Sequence, residues 1–210
     1  MAISDHQWQY LGRWYYAGYY NNDHNRWLSI NYSWRYPDNN TNSDQHYNGI
    51  IFASALMKIR ENIVAQTNST IGRNIADKLF LEMHFRWSSS TNFYNAANAY
   101  LESAKYLENG VYYCLVFNTL NSFGLISNTP APQTMTGTYS SNTSIIGYDV
   151  NIQNVTVSSG ATVKINVCNK IVINGLTVNA GGTLELEAGG KVSIDYGNFK
   201  IMEGASFKIK

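Results

Sequence analysis

A repeat in the last third of the chain constrains the fold more than any other feature. Residues 155–165 (VTVSSGATVKI) align with 176–186 (LTVNAGGTLEL), and both align with 199–209 (FKIMEGASFKI). The three units thus begin at Val155, Leu176 and Phe199, at nearly even spacing. A shorter alternating pair precedes each one, Val150-x-Ile152, Ile171-x-Ile173 and Val192-x-Ile194, and these are evenly spaced. Alternation turns every second side chain to one face, and Gly160, Gly181 and Gly204 fall where the chain must reverse sharply. One such rung cannot bury its inner face alone, whereas rungs of fixed length stack and bury it together. The repeat predicts a small β-solenoid of three rungs of about 21 residues, with a small twisted β-sandwich as the competing architecture.

Upstream the apolar period lengthens to that of a helix. A helix is expected from about Tyr47, with Ile51, Ala55, Leu56, Ile59 and Ile63 on one stripe. A second starts at Thr70 as N-cap and repeats Ile71, Ile75, Leu79 and Met83. A third follows residues 88–92, turns Ala97, Leu101, Ala104 and Leu107 inward and stops at Asn109-Gly110; the last runs from Val111 to Phe123. The fold class is therefore multi-domain α + β. A mainly helical lobe with a loop-rich aromatic N-terminal segment occupies 1–126, a linker marked by Pro130 and Pro132 spans 127–144, and the solenoid fills 145–210.

With 44% hydrophobic residues, 14% charged residues and a formal net charge of +1, the chain has ample core and no electrostatic case for nucleic acid or an anionic membrane. No apolar run reaches the ~20 residues of a membrane-spanning helix. The first residues lack the basic and apolar regions of a signal peptide. Sixteen tyrosines and abundant Asn, Ser and Thr give a composition of secreted type. Cys114 and Cys168 stand on opposite sides of the composition change, so two separate buried thiols are expected.

The chain has four histidines, His6, His24, His46 and His84, and no HExxH, no G-x-S-x-G and no phosphate-cradling glycine loop. Asp23-His24 reads as a solvated loop and Glu82-Met83-His84 as a helix face. His46 differs by its surroundings. Residues 44–56 (DQHYNGIIFASAL) resemble the His-x-Asn/Asp-Gly segment that opens a helix in thermolysin-like and fungalysin-like zinc metallopeptidases (gluzincins). Residues 71–79 (IGRNIADKL) and 89–97 (SSTNFYNAA) resemble two further helices of that family, and 25–31 (NRWLSIN) with 36–38 (YPD) its preceding run. The likeness covers roughly residues 10–125.

In that family zinc is held by an HExxH helix and a downstream glutamate, and a histidine of the C-terminal lobe hydrogen-bonds the oxyanion. The resemblance assigns this last role to His46. Asp44 is the nearest carboxylate to orient it, the family's own aspartate position, five residues before the histidine, being Thr41 here. Tyr47 and Asn48 become candidate substrate contacts, and Asn48 with Gly49 shapes the helix entry. The resemblance thus implies the C-terminal part of a secreted or cell-surface zinc metalloendopeptidase. The zinc-binding lobe would be a missing partner, the substrate a peptide or protein, and this chain alone inactive and without bound zinc. The repeats resemble short C-terminal modules of secreted bacterial hydrolases. A different class of function is a non-catalytic module for cell-surface polysaccharide, motivated by Trp8, Tyr10, Trp14, Tyr15, Tyr16, Tyr19, Tyr20 and Trp27.

Overall fold

The computed structural model describes residues 32–39, 45–86 and 91–210, with the backbone alone for 45–48. The chain divides into two compact units, 1–127 and 128–210.

The first unit is built on four helices: α1 (Gln45–Gln66), α2 (Ser69–His84), α3 (Phe93–Tyr106) and α4 (Tyr113–Ser122). The predicted stripe of α1 is its core face, with Ile51, Ala55, Ile59 and Ile63 fully buried. Asn68, not Thr70, caps α2, its Oδ1 accepting the amides of Thr70 and Ile71 at 3.1 and 2.9 Å. The correction moves the stripe as well. Ile71 is 51% exposed, and the inward row is Gly72, Ile75, Ala76, Leu79 and Met83. Gly72 is needed for close approach, since a Cβ there would lie 2.6 Å from Val64 Cα on α1. Asn92 caps α3 by accepting the Asn95 amide at 2.9 Å. Leu107 to Gly110 form a short 3-10 turn before α4. Segment 32–39 is tied onto these helices. The Tyr32 hydroxyl donates to Glu61, the Tyr36 amide donates to Phe123 O at 2.9 Å, and Arg35 lies 4.7 Å over the Phe123 ring. The rest of the aromatic N-terminal segment lies outside the described residues.

The second unit is a β-solenoid of parallel strands in three stacks. In the first stack, residues 133–136 of β1 (Gln133–Tyr139), 150–152 of β2 (Thr143–Val157), 171–173 of β3 (Thr162–Ile173) and β6 (Lys191–Ile194) follow one another. In the second, 137–139 and 155–157 are followed by β4 (Leu176–Val178) and β7 (Phe199–Ile201). In the third, 143–147 and 163–167 are followed by β5 (Thr183–Ala188) and β8 (Ser206–Ile209). The turns number four rather than three. The added turn, 133–147, lies largely in the segment read as linker. Its register partners stand closer in sequence than those of the later turns, and the register shifts at Thr136/Gly137, so it does not align with the later units. Its core position opposite Val150 is also polar: Gln133 turns inward and its Nε2 donates to Ile146 O at 2.8 Å.

Inward residues of the stacks, among them Val150, Ile152, Ile165, Ile171, Ile173 and Val178, are at most 1% exposed. The tight turns stack as well, Gly160 N–H donating to Gly181 O and Gly181 N–H to Gly204 O, both at 3.0 Å. All three glycines have φ between 75° and 79°, the left-handed region open to glycine at low cost. In the last turn Phe199 and Phe207 meet edge to face at 5.3 Å. Neither cysteine is a free thiol. Cys114 and Cys168 are both disulfide-bonded, which corrects the expectation of two separate thiols.

Candidate functional site

The backbone places His46, Tyr47 and Asn48 in the first turn of α1. Their side chains, and Asp44 altogether, lie outside the described residues. The turn that carries His46 is continuous with the most deeply buried helix of the unit. Ile51 follows five residues on, about 7.5 Å along the axis at ~1.5 Å per residue, and is fully buried. A histidine in that turn stands on a rigid element, which is the first requirement for a positioned hydrogen-bond donor. Gly49 has nothing within 4 Å of a Cβ built on it, so neither packing nor a positive φ requires glycine there.

The segments that carry the family resemblance meet in this unit. Tyr36 packs edge to face on Phe93 at 5.4 Å and on Tyr94 at 5.0 Å. Phe52 of α1 stacks on Phe93 at 6.0 Å. Gly124 closes against the Tyr36 carbonyl so tightly that a Cβ would collide with it.

Three helices also bring charge and a buried phenol into the interior, which the hydrophobic pattern did not foresee. Arg60 of α1 is 3% exposed, and Arg73 and Asp77 of α2 face it within electrostatic reach. Burial raises the Asp77 carboxyl above its ordinary value, with Arg60 and Arg73 pulling the other way. Burial likewise raises the phenol of Tyr100 on α3, and the Asp77 charge adds to it. Two arginines beside one partly buried carboxylate read as a structural clamp, because removing one member strands the others. The Arg73/Asp77 spacing of four residues was the one available signal.

Among the described residues no group of three His, Cys, Asp or Glu side chains could hold a metal ion. His84, the one histidine whose side chain is described, donates from Nδ1 to Phe80 O at 2.7 Å and packs on the Phe80 ring. No helix among the described residues is long and apolar enough to cross a membrane. On the solenoid, a polar groove of about 200 Å³ opens beside Asn154, Gly175 and Asn198. Trp8, Trp14 and Trp27, the expected glycan platform, lie outside the described residues.

No protein-family model, curated protein or solved structure matches this chain.

Proposed function

We propose that the helical unit is the C-terminal lobe of a secreted metallopeptidase of thermolysin-like and fungalysin-like kind, with the solenoid as an appended repeat module. The observation that carries this reading is the convergence of the resembling segments. Tyr36 of the YPD run packs on Phe93 and Tyr94 of the NFYNAA run. Gly72 of IGRNIADKL lies against the helix that His46 opens.

In this reading His46 donates a hydrogen bond to the oxyanion that forms when water attacks a peptide carbonyl. A donor aimed at developing charge from a rigid helix needs no rearrangement during the reaction. Asp44 orients the imidazole, and Tyr47 and Asn48 contact the peptide. Zinc, held by a lobe encoded before this segment, supplies the polarisation of water in such enzymes. The test is the genomic reading frame upstream of Met1. An in-frame HExxH with a downstream glutamate supports the proposal; a stop codon immediately upstream contradicts it.

A further inference from the structure

The solenoid carries a built groove that the peptidase reading does not use. Where the first strand stack passes into the second, successive turns place Asn154, Gly175 and Asn198 at one corner, each just before the register partners Val155, Leu176 and Phe199. The middle position has no side chain and no room for one. At Gly175 φ is 126°, and a Cβ there would lie 2.6 Å from Asn154 Oδ1 and 2.9 Å from Asn154 N. Two amides therefore flank a notch, roughly two strand spacings, or about 9.6 Å, apart. Beside the notch Thr156, Thr177 and Lys200 stand in register on the outer face of the second stack. The groove they line has a volume of about 200 Å³, and Lys200 is the only charged residue among its lining. Neither Asp195 nor Glu203, the carboxylates that flank this stretch in sequence, lines the groove, and Asp195 accepts the Gly197 amide at 3.1 Å. Tyr196, two residues before Asn198, is 82% exposed.

We propose that this groove binds a segment of an acidic polysaccharide. Amides and hydroxyls are both donors and acceptors, which suits ring hydroxyls, and one ammonium suits one uronate carboxylate. The volume lies below the ~300–1,000 Å³ of a pocket that encloses a whole small molecule. It fits one or two units of a polymer that continues along the surface, where the exposed Tyr196 ring offers a stacking face. A peptide would ask for apolar pockets or a free strand edge, and nucleic acid for several cations. Neither is what the groove presents.

The test is affinity electrophoresis of the full chain, at low salt, against polygalacturonate and its fully methyl-esterified form. Retardation by the acidic polymer and little by the ester is expected. Lys200→Gln and the near-isosteric Thr177→Val should each weaken binding about ten-fold or more, as loss of a hydrogen bond to a charged or well-placed group does. Lys191→Gln, an exposed lysine that does not line the groove, should leave it unchanged. Circular dichroism of each variant confirms that the fold is kept. Absence of binding to both polymers overturns the proposal. So does equal binding to both, or a Lys191→Gln loss as large as that of Lys200→Gln, which would mean diffuse charge attraction.

Discussion

The two units solve the same burial problem in opposite ways. In the solenoid core positions recur: Ile152, Ile173 and Ile194 occupy equivalent places in successive turns, as do Val155, Leu176 and Phe199. Each turn touches only its neighbours, so stability accumulates along one direction. The helical unit instead depends on contacts that occur once. Gly72 lies on Val64, Tyr36 on Phe93 and Tyr94, and Arg60 beside Asp77. A repeated contact is announced in the sequence by its period; a contact made once is announced by nothing.

Matched substitutions sharpen this difference. Ile59→Ala in α1 and Ile173→Ala in the third turn both empty fully buried sites, and each should cost about 2–5 kcal/mol. Their reach should differ. By hydrogen exchange, Ile59→Ala should lower protection throughout α1 to α4, whereas Ile173→Ala should lower it chiefly in the turns of Ile152 and Ile194. Equal spreading in both units would break the comparison.

Glycine provides the next contrast. Gly175→Ala meets both a left-handed φ and the Asn154 backbone, and should destabilise the solenoid by about 1–3 kcal/mol in denaturant titration. Gly49→Ala has open space on a helix and should stabilise the helical unit by about 0.5–1 kcal/mol.

The smallest effects concern two carboxylates displaced in opposite directions. Glu185 lies 3.3 Å from Lys208 and 3.6 Å from Lys164, and the Lys208 hydrogen bond above all holds its carboxyl below the ordinary value. A lowered value means stability that is present above the ordinary carboxylate range and lost as pH falls through the folded one. Asp77 is raised by burial, so the folded helical unit holds that proton more firmly than the unfolded chain and loses stability as pH rises out of the ordinary range. Acidification from neutral pH should weaken the solenoid slightly and favour the helical unit. Unit-resolved hydrogen exchange at both pH values checks this, with Glu185→Gln and Asp77→Asn each removing the response of its own unit.

Much of the fold was legible because hydrophobic period and burial agree. The stripe of α1 and the inward rows of the last three turns needed nothing beyond spacing. The first turn was hidden by Gln133 at a core position and by the bulge at Gly137, which together erase its match to the later units. The start of α2 was misplaced by two residues because Asn68 and Thr70 are both good caps, and only geometry chooses between them. The candidate site was less legible. His46 drew notice through family resemblance rather than periodicity. The groove depends on a glycine between two asparagines in different turns, and it emerges only once the register is known. Thr156 and Thr177, at equivalent positions of two successive units, were its faint trace in the sequence.

The most direct test of the functional proposal is steady-state peptide hydrolysis by the complete protein, zinc-binding lobe included, with His46→Ala alongside. The proposal predicts that kcat falls about 10²–10³-fold, the cost of one oxyanion donor, while KM and zinc content stay near those of the unsubstituted protein. Full activity in His46→Ala, or no peptidase activity in the complete protein, would contradict it.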